Sequence, residues 1–155
     1  MENQNSDAAM LLIPILKQIP LFSALDDVAY NIIVQKITLM YYPVSHTIFN
    51  EGDIGDAMYL IKKGSVQIYH PPKEAGDSEI EIAKIETGGF FGEMALVSEV
   101  PRNASARTLE ECEIFILRKE DFQSLLSVNP TLAQQVSSVV VDRVNQNDKF
   151  NQQSQ

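Results

Sequence analysis

The residues best suited to do chemistry are gathered between Phe91 and Ala106, in the run FGEMALVSEVPRNASA. One carboxylate, Glu93, and one guanidinium, Arg102, stand nine residues apart. Gly92 precedes the first, the helix-competent run Met94, Ala95, Leu96, Val97 follows it, and Pro101 precedes the second. An anion held inside a protein needs N–H donors and one well-placed cation. A short helix starting near Glu93 offers unpaired N–H groups at its N-terminus, where the helix dipole also favours negative charge. Gly92 lets the backbone approach without a Cβ. Arg102 can meet a phosphate with two parallel hydrogen bonds, a fork that lysine does not reproduce. Glu93 would repel a phosphate, so it suits a hydrogen bond from a sugar hydroxyl, as carboxylates make to ribose. The pairing describes a sugar and a phosphate held together. The plainer alternative is an exposed Glu93–Arg102 ion pair, and the surrounding pattern weighs against it.

The elements around this stretch must position it. At 155 residues, with 45% apolar and 21% charged residues and no tryptophan, the chain is sized for one globular domain. A net charge of -9 with no run rich in Lys and Arg argues against nucleic-acid and anionic-membrane surfaces. The single cysteine, Cys112, rules out an internal disulfide; in the strand-like ECEIFILR it reads as a small buried apolar residue. The apolar run from Met10 to Leu16 is short and interrupted by Pro14, so neither a signal peptide nor a membrane span is expected, and the reading is cytoplasmic.

Taken in order, residues 1–9 read as a flexible N-terminus, with Met1 to Ser6 polar and Asp7 able to cap a short helix ending at Ile13, before Pro14. Ser23 and Asp26 match a capping box for a second helix with Leu25, Val28, Ala29, Ile32 and Ile33 on its apolar face. From Ile37 the period changes to that of strands. ITLMYY, HTIF, MYLIKK, SVQIYH, EIEIAKI, SARTL and CEIFILR are rich in β-branched and aromatic residues. Turn chemistry separates them at Glu51-Gly52-Asp53, Gly55-Asp56, Lys63-Gly64, Pro71 to Asp77 and Thr87-Gly88-Gly89. EIEIAKI alternates cleanly, as a half-buried antiparallel strand should. The expected fold is α+β: an antiparallel β jelly-roll barrel with N-terminal helices, a short internal phosphate-binding helix and C-terminal lid helices. In the first C-terminal helix Phe122, Leu125 and Leu126 share a face; Asn129 and Pro130 restart the chain as N-cap and first helical residue. Leu132, Val136, Val139, Val140 and Val144 then form a long apolar stripe, and residues 146–155 read as a disordered polar tail.

These features together resemble the cyclic nucleotide-binding domain family, found in cAMP-dependent kinase regulatory subunits, cyclic nucleotide-gated channels and the bacterial catabolite activator protein. FGEMAL followed by PRNASA is similar to that family's phosphate-binding cassette, and EGDIGDAMYLIKKGSVQIY to the glycine-punctuated strands before it. IPLFSALDD resembles the helical lead-in and RKEDFQSLLSVNPTLAQQVSSVVVDRV the following helices, so the domain is placed at residues 10–145. Neither a DNA-binding nor a kinase module is expected within these residues. The resemblance implies that Arg102 pairs with a cyclic phosphate and Glu93 with the ribose 2′-hydroxyl, with Gly92, Met94, Ala95, Asn103 and Ala104 adding backbone contacts. It implies a non-enzymatic receptor for cAMP or cGMP, cAMP ahead, with no cofactor beyond that ligand. Asn103 departs from the Ala, Ser or Thr common after the arginine; its amide both donates and accepts, so the base preference stays open. Val136, Val139, Val140 and Val144 are candidates to cap the purine.

Two other readings remain alongside. The valine stripe could instead serve a homodimer or an effector protein through the C-terminal helix, with a degenerate pocket. A cupin-type metal enzyme shares the jelly roll, but His46 and His70 lie apart with no His-x-His, and Glu110, Glu111 and Glu113 read as a solvated turn.

Overall fold

The computed structural model describes residues 2–139, with side chains from residue 8 onward. The chain divides into a strand unit, residues 37–120, and a helical unit formed from the residues before 37 and after 120.

In the helical unit, helix α1 spans Glu2–Leu16 and runs through Pro14, where the sequence predicts a helix from Asp7 to Ile13. Proline removes one backbone N–H and its bond. Leu12, Ile15 and Leu16 are buried on both sides of it, and burial of side chains this size, about 1.5–3 kcal/mol each, outweighs that loss. Pro20–Phe22 forms a 3-10 turn, and Ser23 closes it through its N–H to the Pro20 carbonyl. Ser23 is therefore not the cap of α2 (Asp27–Val34). Asp26 is, its carboxylate accepting from the Ala29 N–H at 2.8 Å. The buried face of α2 is Ala29, Tyr30, Ile33 and Val34, and Val28 is 68% exposed, so the face is rotated from the predicted one. Tyr30 sets that rotation by donating its hydroxyl to the Phe22 carbonyl at 2.8 Å.

Helix α3, Lys119–Val128, buries Phe122 and Leu125, and the Phe122 ring meets Phe22 at 5.7 Å. Asn129 separates α3 from a helical stretch over 130–139. Its carbonyl accepts from Ala133, as an N-cap residue should, but its side chain points backward and donates to the Leu125 carbonyl. Leu132 and Val136 are buried. Val140, Val144 and the polar tail at 146–155 lie outside the described residues.

The strand unit holds two four-stranded antiparallel sheets, the architecture of a jelly roll. One sheet has the order β1 (Thr38–Tyr42), β8 (Cys112–Arg118), β3 (Ala57–Lys63), β6 (Phe90–Phe91). The other has the order β2 (Thr47–Phe49), β7 (Ser105–Thr108), β4 (Ser65–His70), β5 (Ile80–Glu86). The buried core includes Tyr59, Ile61, Val66, Ala106, Ile114 and Ile116. Met58, Leu60, Phe115 and Leu117 on the opposite faces of β3 and β8 are buried too, which accounts for their unbroken apolar runs. Gly64, at φ 113°, makes the tight β3–β4 turn. Cys112 is buried; its thiol donates to the Ser65 and Glu110 carbonyls, and burial raises its pKa.

One strand departs from its predicted pattern. β5 is an edge strand, and pairing steps from Ile68↔Ala83 to Tyr69↔Glu81, leaving Ile82 bulged out. The alternation of EIEIAKI is broken there, and Ile80 and Ile82 are 64% and 50% exposed. Among the described residues no helix is long and apolar enough to cross a membrane.

Candidate functional site

The predicted helix at Glu93 is a single 3-10 turn, Glu93–Leu96, with Gly92 as its N-cap in the left-handed region at φ 77°. Only glycine takes that conformation freely, so Gly92 is required by its backbone as well as by its size. The turn buries Ala95 and Leu96 and packs beside β3. The Ala95 N–H returns to the Gly92 carbonyl at 3.3 Å, closing the turn at its glycine end. Ser98 donates to the Met94 carbonyl, and Lys119 donates to the Ser98 carbonyl and to Glu99, fastening the far end of the segment.

Gly92, Glu93, Met94, Ala95, Arg102 and Asn103 line one pocket of about 270 Å³ together with Ser98, Val100 and Pro101. Ala104, also predicted at the site, is buried and does not line this pocket, whereas Asn103 lines it and is exposed. Glu93 and Arg102 thus share a cavity, as their spacing suggests.

Arg102 is held from several directions. Its Nη2 donates to the Ala57 carbonyl at 2.7 Å and its Nη1 to the Gly92 carbonyl at 3.3 Å. Hydrogen bonds from a charged donor are worth roughly 1.5–3 kcal/mol each when well formed, and only the shorter of these has that geometry. The guanidinium carbon lies 4.2 Å from the Phe49 ring centre. The backbone of Arg102 is clamped to the β2–β3 loop: its N–H donates to the Asp53 carbonyl at 2.7 Å and its carbonyl accepts from Gly52 at 2.8 Å. Ile54 and Pro101 form an antiparallel bridge beside them. Burial pulls the guanidinium below its ordinary pKa, while Tyr59, Asp56 and Asp53 push it back up. It stays a cation at any physiological pH. Arg102 also lines a second pocket, about 450 Å³, with Phe49, Tyr59, Asp53, Asp56 and Arg118.

Sequence reasoning misses the loop's part in the site. Gly55 reads as turn punctuation, yet a Cβ there would stand 2.6 Å from the Ala95 Cβ and 3.1 Å from the Arg102 guanidinium carbon. A Cβ on Gly92 would meet Arg102 Nη1 at 2.7 Å. Both glycines are gaps the arginine needs. Gly55 in EGDIGD was the available signal, but what it makes room for is visible only once the chain is folded. The histidines contribute nothing to this cavity: His70 pairs with Glu51 at 2.7 Å, and the His46 ring lies 5.0 Å from Tyr42.

Arranged in this way, a fixed cation and a carboxylate that line one cavity suit an anion with an adjoining hydroxyl. Comparison with known proteins agrees. The family model for the cyclic nucleotide-binding domain matches residues 39–129. The cyclic AMP receptor protein of Thermus thermophilus is 31% identical over 133 residues, covering 86% of this chain and 61% of that protein. A cAMP-dependent protein kinase regulatory subunit of Yarrowia lipolytica is 30% identical over 111 residues, covering 72% of this chain and 28% of that protein. The solved N-terminal domain of a transcriptional regulator from Streptomyces coelicolor superposes with a TM-score of 0.77 at 27% identity, over 88% of this chain and 94% of that one. The chain spans under two thirds of the length of these curated relatives, which are regulatory proteins. A jelly roll, a glycine-capped turn with a fixed arginine in one cavity, and a family match over most of the strand unit lead to one assignment: this chain belongs to the cyclic nucleotide-binding domain family.

Proposed function

We propose that the chain is a non-enzymatic cytoplasmic receptor for a 3′,5′-cyclic nucleotide, cAMP ahead of cGMP, with the receptor domain at residues 10–145. The observation that carries this reading is the shared cavity of Glu93 and Arg102. Arg102 pairs with the cyclic phosphate and Glu93 accepts from the ribose 2′-hydroxyl. Gly92, Met94, Ala95, Asn103 and Ala104 supply backbone contacts. The order of the two ligands rests on relatives whose names specify cAMP; Asn103, exposed at the pocket rim, is where a guanine amino group would be accepted. Ligand binding shifts the population of the C-terminal helices, because it favours one of their positions over the other. Those helices carry the signal to an effector protein or a second copy of the chain.

Calorimetric titration of cAMP and cGMP into wild type and Arg102→Ala tests the reading. Removing one partner of a desolvated charge pair costs about 2–5 kcal/mol, so affinity falls roughly thirty- to several-thousandfold. Equal affinities in the two proteins overturn it.

One observation favours a second reading, an interaction module with an unused pocket. Val28 and Val128 are exposed on a groove of about 350 Å³ in the helical unit, with Ile32 and Leu132 beside them. Concentration-dependent dimerisation with no thermal shift from any cyclic nucleotide would select it.

A further inference from the structure

The guanidinium of Arg102 rests against an aromatic cluster that neither the phosphate nor the sugar requires. Phe49 on β2, Tyr59 on β3 and Phe91 on β6 form a contiguous group drawn from both sheets. The Tyr59 and Phe91 rings stack at 5.0 Å and 14°, and Phe49 meets them at 5.9 and 6.0 Å. Phe49 is the member nearest the cation, 4.2 Å from ring centre to guanidinium carbon, against 5.8 Å for Tyr59. Both distances lie within the range where a ring face attracts a cation. The rings also exclude water from that side, which strengthens each electrostatic contact Arg102 makes.

Two carbonyls and the Phe49 and Tyr59 side chains hold the guanidinium, with the Phe49 ring the nearer. Ala57 and Gly92 each take one N–H, and the fork has five, so donors remain for a bidentate partner. An arginine held before the ligand arrives loses little rotamer freedom on binding, and pre-organisation of that kind raises affinity without adding a contact. We propose that Phe49 is a positioning residue for ligand binding, acting through Arg102 by seating its guanidinium against the ring face. The proposal rests on Arg102 being the phosphate partner. It assigns to β2, a strand outside the cassette, an indirect part in affinity.

The test joins arginine side-chain NMR of the ligand-free protein to calorimetric titration with cAMP and cGMP, in wild type, Phe49→Leu and Phe49→Tyr. Leucine keeps apolar bulk and removes the π face; tyrosine keeps the face. In wild type the Arg102 Nε–H resonance is ring-current shifted and slow to exchange with water. Phe49→Leu moves it toward the free-arginine position and weakens cyclic nucleotide binding roughly three- to thirtyfold. Phe49→Tyr restores both within about threefold. If Phe49→Leu does not fold by far-ultraviolet dichroism, Phe49→Met takes its place with the same expectations. An Nε–H signal that does not respond to Phe49→Leu overturns the proposal, as does unchanged affinity beside an altered signal. A wild type with the shifted resonance but no cyclic nucleotide binding defeats the receptor reading and with it any role of Phe49 in affinity, while the seat itself stands on the spectrum.

Discussion

Gly55→Ala adds one methyl group at the most crowded approach in the site. Gly55 has no left-handed backbone, so the substitution tests space alone. The new Cβ would stand 2.6 Å from the Ala95 Cβ, where carbon pairs normally rest at about 3.5–4.0 Å. Something must therefore move by about 1 Å. Arg102 is crowded less, its guanidinium carbon standing 3.1 Å from the new Cβ, so it must give by about 0.4 Å, which carries its 2.7 Å bond to the Ala57 carbonyl to the edge of the hydrogen-bond range of about 3.2 Å. Overpacking of this size costs about 1–3 kcal/mol. Affinity for the cyclic nucleotide falls with it, because the turn and the arginine are both displaced. Ala95→Gly supplies the control. Alone it destabilises, by about 1 kcal/mol or more, through the lost methyl and the added backbone freedom. In the Gly55→Ala background it removes the clashing partner, so its effect changes sign and it stabilises. Urea unfolding and calorimetric titration of the four proteins measure the cycle. Additive effects, with Ala95→Gly destabilising in both backgrounds, would refute the argument that these two residues share one space.

Two further outcomes are expected. Burial pushes the Tyr59 phenol up to about 12, with Arg102 partly opposing. Because the folded-state pKa is raised, its stabilising contribution is whole below about pH 10 and is lost between about pH 10 and 12, an effect on the order of 2–3 kcal/mol; Tyr59→Phe flattens that alkaline loss in urea unfolding, and parallel pH curves would contradict the assignment. Asp26→Ala removes the cap bond to Ala29 and with it about 0.5–2 kcal/mol, read as a lower melting temperature, whereas Ser23→Ala leaves stability within about 0.5 kcal/mol.

How much of this is legible in the sequence depends on the range over which each feature is decided. The strand series reads correctly because β-branched residues cluster between turn residues, a local signal that Lys63-Gly64 and Thr87-Gly88-Gly89 reinforce. Phe90–Phe91 is too short for any period to register, and it becomes a strand only by pairing with Tyr59 and Leu60. The bulge at Ile82 is invisible for a related reason: alternation in one strand says nothing about the register its partner imposes. Ser23 and Asp26 both have cap chemistry, and the choice between them is made by the Pro20–Phe22 turn, which consumes the Ser23 N–H. Glu93 and Arg102 are legible as a pair because their spacing is local. The partners that hold Arg102, among them Ala57 at a separation of 45 residues, are assembled by sheet topology.

That division bears on how an acidic protein comes to hold an anion. A net charge of -9 sets a long-range field against the ligand, and two carboxylates, Asp53 and Asp56, lie near enough to Arg102 to raise its pKa. Charge alone would make this a poor anion site. Long-range repulsion, however, fades beyond a Debye length of about 8 Å at physiological salt, while the partly desolvated arginine acts at contact distance. Asp53 is occupied with the loop, its carboxylate accepting from the Asn50 N–H and its carbonyl from the Arg102 N–H. The acid that opposes the ligand electrostatically thus also builds the frame that aims the cation. On the proposed reading, one oriented guanidinium is enough to favour an anion at contact distance, so the rest of the surface can remain acidic without abolishing the site.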